Sequence, residues 1–175
     1  MSANVATVRA IPGRTQDTFL CRACGDHKET LGHVLGFCRK GELLRNTRHH
    51  RVRTMIADAL RSKGLEVSEE VHCLGSEGST RRADIVAINR DKNTGLIVDP
   101  TIRFENQRPE DVDTEKREIY EPCFQYFRET TGVKDWKVVG LMVGARGAIP
   151  LFLVQFYRDL GLPSSLLLDI ARSVL

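Results

Sequence analysis

The feature that most constrains this chain is a cluster of cysteine and histidine in its first quarter. The pattern is Cys21-x2-Cys24-x8-His33-x4-Cys38, which offers three thiols and one imidazole on a single loop. Four soft ligands at this spacing suit tetrahedral zinc, because the two-residue step lets one tight turn present two sulfurs to one ion. Residues 21–40 hold too few apolar side chains for a core, so we expect a metal to hold this segment together. Scattered buried cysteines are the alternative.

One further histidine near the cluster and the two cysteines outside it are given other roles. His27 could compete with His33 as the fourth ligand, but the short gap after Cys24 would demand a very tight loop, which favours His33. The chain has five cysteines, an odd number, and their clustering is typical of a metal site in a reducing compartment rather than of a disulfide framework. Cys73 and Cys123 lie among apolar residues and are predicted to be core residues.

Charge is unevenly distributed along the chain. Residues 1–53 hold ten Lys/Arg against four Asp/Glu, whereas residues 54–175 hold sixteen against nineteen. A basic front part predicts a polyanionic partner, and nucleic acid is the natural candidate. No apolar run approaches the ~18–20 residues of a membrane span, and the first residues lack an apolar signal core, which argues against secretion and against a membrane partner. The residues predicted to contact nucleic acid are Arg22, Lys28, Arg39, Lys40, Arg48, His49, Arg81 and Arg82, the last two being equally compatible with ordinary surface charge.

The hydrophobic pattern predicts an α/β (α+β) chain with a mixed sheet flanked by helices. The expected elements are a helix over 42–63, an extended piece over 65–73, a strand hairpin over 83–89 and 96–104, a helix over 111–128 interrupted at Pro122, a strand over 136–143, and helices over 149–160 and 164–174. Residues 1–20 are interpreted as a linker or tail, 21–40 as the zinc module and 41–175 as the main domain.

Two carboxylates of the hairpin are the first candidates for catalysis. A turn centred on 92–93 would place Asp84 opposite Thr101 and Val86 opposite Asp99, so both acids share one face as diagonal neighbours about 7 Å apart. Hard oxygen ligands at that spacing suit Mg²⁺ or Mn²⁺. Isolated edge charges are the alternative, but an acid within an apolar strand costs stability unless it is paired or bound to metal.

A lysine and a tyrosine on the next helix complete the candidate set. Lys116 and Tyr120 are four residues apart and therefore share a helix face that could point at the hairpin. A hydrolase that uses a metal also needs a group to orient water and a cation for the developing phosphate charge, which Lys116 could supply. The alternative is a solvated lysine within the charged run EDVDTEKRE.

These motifs in this order resemble the C-terminal part of the polyproteins of site-specific non-LTR retrotransposons that insert into ribosomal RNA genes. The resemblance covers roughly residues 20–160. It rests on the Cys-Cys-His-Cys cluster, the basic helix start with Arg48, His49 and His50, and the segments RRADIVAIN, LIVDPTI and EKREIYEP. In that family a zinc knuckle follows the reverse transcriptase and precedes a restriction-like endonuclease.

The resemblance implies a PD-(D/E)xK-type nuclease fold and a role for each matching residue. Asp84 would be the first acid, although Ala83 stands where the family often has proline, and Asp99 would be the second. Thr101 occupies the place of the usual lysine, which in these nucleases is supplied from the following helix, where Lys116 and Tyr120 match. Glu69 or Glu70 could be an upstream acid.

The function implied is nicking of genomic DNA in the host nucleus, after which the freed 3′ hydroxyl primes reverse transcription of the element RNA. No reverse transcriptase signature lies within these 175 residues, so we expect the chain to be part of a longer polyprotein that carries one. Two alternatives stay open. One is a zinc-dependent nucleic-acid-binding module without catalysis, and the other is an interaction domain in which zinc only stabilises the fold.

Overall fold

The computed structural model describes residues 20–104 and 107–174. The chain divides into two compact units, Met1–Arg48 and His49–Leu175, and the division falls within a long helix, α1 (Glu42–Ser62). The linker expected over residues 1–20 lies outside the described residues except for Leu20. No helix in the described ranges is both long enough and apolar enough to cross a membrane.

The described part of the first unit is a small irregular loop structure. A bridge between Leu20 and Lys28 closes a turn that carries the first two cysteines. A π-helical turn, His33–Phe37, and a short 3-10 turn, Arg39–Gly41, then lead into α1. The only buried hydrophobic cluster among the unit's described residues is formed by three cysteine side chains, as expected for a segment too polar to build a core of its own.

The second unit contains four strands and, after α1, four further helices. They are β1 (Glu66–Leu74), β2 (Thr80–Asn89), β3 (Thr94–Arg103), α2 (Pro109–Tyr120), α3 (Phe124–Thr131), β4 (Asp135–Gly144), α4 (Leu151–Asp159) and α5 (Ser165–Val174). The predicted mixed sheet flanked by helices is confirmed. The predicted interruption at Pro122 is also found, because a 3-10 turn, Glu121–Cys123, separates α2 from α3 where proline lacks an N–H.

The strand order is β1-β2-β3-β4, with β1, β2 and β3 antiparallel and β4 parallel to β3. The predicted hairpin register was wrong by two residues, since Val86 pairs with Ile97 rather than with Asp99. The turn is closed earlier than expected: Asn89 pairs with Thr94, and Asn93 adopts a left-handed conformation with φ of 53°. A slip of two residues leaves the alternation of an ideal ladder unchanged, so this register error does not by itself move either acid to the other face.

Helices cover both faces of the sheet. One core joins α1, α4 and α5 to Ile85, Val98 and Leu141 of the strands, and its helical members include Ile56 and Ile170. The other core lies under α2 and α3 and contains Val86, Ile97, Val138, Tyr120 and Phe127. Cys73 and Cys123 belong to this second core, which confirms that they are core residues.

Candidate functional site

The four side chains of the cysteine and histidine cluster converge in the first unit. All four are buried, and the ligand atoms of Cys21, Cys24, His33 and Cys38 lie within 4.8 Å of one another. The sulfurs of Cys21 and Cys38 are 3.9 Å apart, close to the roughly 3.8 Å that two Zn–S bonds of about 2.3 Å at a tetrahedral angle would give. The donor set and its geometry fit zinc, so this group could bind that ion.

The geometry also distinguishes between the two histidines. His33 is 1% exposed and its Nε2 lies 3.3 Å from the Cys24 sulfur, whereas His27 is exposed and contacts His33 only through its ring. Within the described residues the Nδ1 atom of His33 has no hydrogen-bond partner. Nε2 is therefore the atom of His33 that faces the sulfurs.

Hydrogen bonding and burial shift the pKa values of two of these thiols in opposite directions. A hydrogen bond from the Asp26 backbone lowers the pKa of Cys24 against an opposing contribution from desolvation. Burial raises the pKa of Cys38. A bound cation would favour the thiolate at both positions.

Two cations predicted to contact nucleic acid donate hydrogen bonds to backbone carbonyls of this unit. Arg48 donates to the Leu35 carbonyl at 3.0 Å, and Arg39 donates to the Cys24 carbonyl at 3.3 Å. Arg45, which we did not single out, donates to the Cys38 carbonyl at 2.6 Å. These bonds hold the carbonyls of the loop on which the metal ligands lie.

Arg22 is engaged with a buried acid, whereas two lysines of the same unit are exposed. The carboxylate of Glu29, 1% exposed, accepts from the Arg22 backbone N–H at 2.7 Å and lies 3.2 Å from its guanidinium. Lys28 and Lys40 have exposed side chains. Arg22 and Arg39 are exposed as well, but both take part in ion pairs within this unit, with Glu29 and Asp26.

In the second unit three side chains surround Asp99 on β3, which is 4% exposed. The amine of Lys116 lies 3.2 Å from Asp99 Oδ1, and Thr101 donates to the same oxygen at 3.1 Å. The Tyr120 hydroxyl lies 2.9 Å from Asp99 Oδ2 and 2.9 Å from the Arg82 carbonyl, and it donates its single proton to one of them at a time. The predicted lysine and tyrosine thus meet the predicted acid.

Asp84 joins the same cluster from β2. Ile85 pairs with Val98, so one further step in this register places Asp84 opposite Asp99. The His49 imidazole lies 3.0 Å from Asp84 Oδ2, which means that a residue predicted to contact nucleic acid is instead against a candidate catalytic acid. A sequence signal existed: His49 precedes Val52 by three and Ile56 by seven, the spacing of the core-facing side of α1.

The electrostatics of this cluster follow from burial and close charges. Burial raises the pKa of Asp99, Lys116 opposes that shift, and the nearby Asp84 charge adds to it. The hydrogen bond to Asp84 raises the pKa of His49. Burial raises the pKa of Tyr120. Two adjacent carboxylates, one of them buried, are a suitable environment for a divalent cation, because the cation offsets the repulsion between their charges.

Helix α2, which carries the lysine, approaches β4 closely at Gly140. A Cβ at that position would lie 2.7 Å from Lys116 Cγ and 2.9 Å from the Val112 carbonyl oxygen, both too close. The buried carboxylate of Asp113 accepts the Gly140 backbone N–H at 2.9 Å. Neither Gly140 nor Asp113 carried a signal in the sequence, since their importance comes from a contact across 27 residues.

The other predicted residues of this unit lie in ion pairs on β1 and β2. Arg53 of α1 binds both candidate upstream acids, Glu69 at 3.0 Å and Glu70 at 2.5 Å. Arg82 is exposed and lies 3.8 Å from Glu70, and Arg81 pairs with a glutamate of the preceding turn at 3.2 Å. Glu70 lies between Glu69 and Val71, which pair with Ile85 and Ala83 on either side of Asp84, and its backbone is left-handed with φ of 54°.

Comparison with known proteins finds a relative that matches most of this chain. The chain is 28% identical over 150 residues to a retrovirus-related Pol polyprotein from the type-1 retrotransposable element R2 of Popillia japonica. The match covers 84% of this chain and 31% of that protein, so the chain spans less than a third of the length of its relative. No family model matches the chain.

One solved structure is similar only in outline. It is a crystal structure of a protein of unknown function, AF1548, with a TM-score of 0.40 and 12% identity, covering 70% of this chain and 65% of that one. A likeness at this level carries no conclusion about fold or function.

Proposed function

We propose that this chain is the zinc-binding and nuclease part of a non-LTR retrotransposon Pol polyprotein and that it nicks DNA with the help of a divalent metal. The similarity to an R2 Pol polyprotein supports the retrotransposon context. The observation that carries the nuclease assignment is the cluster around Asp99. Two carboxylates, a lysine and a tyrosine from β2, β3 and α2 meet there, with the Lys116 amine 3.2 Å from the Asp99 carboxylate.

Asp84 and Asp99 are the residues that would hold Mg²⁺ or Mn²⁺, since paired carboxylates provide the hard oxygen ligands these ions prefer. When bound, such a cation polarises the scissile phosphate and lowers the pKa of a coordinated water. Lys116 orients the attacking water or neutralises charge that develops on the phosphate. Tyr120 holds the Asp99 carboxylate through its hydroxyl, and His49 holds the Asp84 carboxylate.

In this proposal the zinc-binding unit is the part of the chain that binds nucleic acid. Zinc held by Cys21, Cys24, His33 and Cys38 keeps the loop folded, and Lys28 and Lys40 remain available for phosphates of target DNA or element RNA. The nicked strand would present a 3′ hydroxyl to the reverse transcriptase of the same polyprotein. The activity would then take place in the host nucleus, where the target DNA is.

A plasmid-nicking assay tests the proposal. The whole chain is incubated with supercoiled DNA with and without Mg²⁺ or Mn²⁺, and the Asp84→Asn and Asp99→Asn variants are compared with Asp58→Asn, an exposed acid of α1. We expect metal-dependent nicking that falls on the order of 10²-fold or more in the two site variants, because a stabiliser of transition-state charge is lost. DNA affinity should change little. Nicking at the unaltered rate by either site variant would contradict the assignment.

A second candidate function is nucleic-acid binding without catalysis. The observation in its favour is that both oxygens of Asp99 already have partners, Lys116 and Thr101 on one and Tyr120 on the other. A chain of this kind would shift DNA in a gel with the usual salt dependence and would produce no nicked plasmid at any metal concentration.

A further inference from the structure

We infer that Asp113 and Gly140 are positioning residues that set helix α2 against β4 so that Lys116 reaches Asp99. This inference rests on the proposed nuclease function for its effect on activity. Its structural part concerns the placement of one lysine amine and can be measured without activity.

Asp113 provides the attachment point of the helix. Its side chain is 7% exposed, and one oxygen accepts the Gly140 backbone N–H at 2.9 Å while the other pairs with Arg117 at 2.8 Å. Among the described strands β4 pairs with β3 alone, so within this part of the chain its outer edge has N–H groups without a strand partner, and Asp113 supplies an acceptor for one of them. A buried carboxylate that bonds a backbone N–H holds the helix at one point along the strand.

Gly140 makes the close approach possible. The space that a Cβ would occupy is filled by Lys116 Cγ at 2.7 Å, Lys116 Cβ at 2.9 Å and the Val112 carbonyl oxygen at 2.9 Å. Two of these atoms belong to the helix backbone or to the first carbon of a side chain, so the helix itself must move if a methyl group is added. Glycine is therefore the residue that brings this turn of α2 onto the strand.

The register connects this contact to the candidate active site. Gly140 on β4 pairs with Asp99 on β3, so the point where the helix touches β4 lies beside the acid. Lys116 follows Asp113 by three residues and thus lies on the same side of the helix. The amine reaches across Gly140 to Asp99 Oδ1 at 3.2 Å. Displacing the helix by a few tenths of an ångström changes this distance directly.

The first measurement is the accessibility of the Lys116 amine in the folded, whole chain. Limited acetylation of lysines followed by mass spectrometry gives the labelling rate of each amine. We expect Gly140→Ala to label Lys116 several-fold faster than the unaltered chain, with Lys92 in the exposed β2–β3 turn serving as the internal reference. Asp113→Ala should have the same effect, and Asp113→Asn, which keeps an acceptor for the Gly140 N–H, should restore slow labelling.

A crowded glycine elsewhere in the sheet controls for general destabilisation. A Cβ at Gly95, at the start of β3, would lie 2.5 Å from the Trp136 ring, so Gly95→Ala is as crowded as Gly140→Ala but lies four residues from Asp99. We expect Gly95→Ala to lower thermal stability and leave Lys116 labelling unchanged. Equal labelling of Lys116 in Gly140→Ala and Gly95→Ala would overturn the inference.

The second measurement is nicking kinetics. Gly140→Ala should lower kcat by about 10-fold with little change in KM, since a misplacement of about 1 Å at a catalytic group costs about 10²-fold and the displacement expected here is smaller. Added to Lys116→Ala, it should cause little further loss, because both changes act through the same amine. A full additional loss in the double variant would show that Gly140 acts elsewhere. If the unaltered chain never nicks DNA, the nuclease proposal fails while labelling still decides the positioning role.

Discussion

At the scale of single residues, Asp99 is the group whose environment most needs an explanation. Its side chain is 6% exposed within an apolar strand, and burial raises its pKa. An ion pair with Lys116 and a hydrogen bond from Tyr120 offset the cost of burying the charge. An apolar residue of similar size would fill the same position without that cost and without needing such partners. A carboxylate kept in such a position is typical of a functional site.

His49 is the residue whose role the structure changes most. We expect His49→Ala to lower nicking by about 10- to 100-fold and to raise the Mg²⁺ concentration needed for half-maximal rate, since groups that orient metal ligands have effects of this size. His50→Ala is the matched control, because its neighbouring imidazole is half exposed and lies 3.9 Å from Glu70 instead. If His49→Ala instead loses DNA affinity and keeps its nicking rate at saturating DNA, then His49 contacts nucleic acid and does not support Asp84.

At the scale of elements, the loop that contains Cys21, Cys24, His33 and Cys38 has almost no apolar core, so we expect its fold to depend on a metal. We expect one zinc ion per chain, and we expect Cys38→Ser to lower zinc content and affinity because a thiolate ligand is removed. Cobalt substitution with absorption spectroscopy reports the ligand set. Cys73→Ala, which removes a cysteine of the second core, should keep full zinc content. Equal metal content in Cys38→Ser and in the unaltered chain would contradict this role.

Helix α5 depends on burial rather than on metal. Ile170 is fully buried in the core shared with α1 and α4, whereas Leu168 on the same helix is 61% exposed. Ile170→Ala should lower the free energy of unfolding by about 2–5 kcal/mol, as expected for truncation of a buried aliphatic side chain. Leu168→Ala should change it by less than about 0.5 kcal/mol. Urea denaturation of both variants measures the difference, and similar midpoints would contradict the assignment of this helix face.

At the scale of the whole molecule, binding and cutting are proposed to reside in different units. Lys28→Ala and Lys40→Ala should each lower the slope of log affinity against log salt by about 1, because each removes one phosphate contact. The nicking rate at saturating DNA should stay the same. Asp84→Asn is the reciprocal control, since it should stop nicking and leave the salt slope unaltered. If the lysine variants keep normal DNA affinity and a normal salt dependence, then these lysines of the zinc-binding unit do not bind the DNA.

The fold and the local metal cluster were largely predictable from the chain alone. Periodicity in 42–63 indicates a helix, and short apolar runs in 83–104 that are bounded by turn residues indicate strands, because both signals are local to one element. The break at Pro122 follows from a missing N–H. The hairpin register was not predictable to the residue, because it depended on where a left-handed Asn93 closed the turn.

The sequence by itself determined the cysteine and histidine spacing, the order of elements and the neighbouring strands that carry Asp84 and Asp99, because each of these depends on neighbours within one loop, helix or hairpin. Only the tertiary structure decided that His49 meets Asp84 across 35 residues and that Asp113 meets Gly140 across 27. The physical reason is that these contacts depend on how closely a helix packs on a strand. For α2 on β4 that distance depends on the absence of a methyl group at Gly140 and on the buried Asp113 carboxylate, neither of which has a periodic signature.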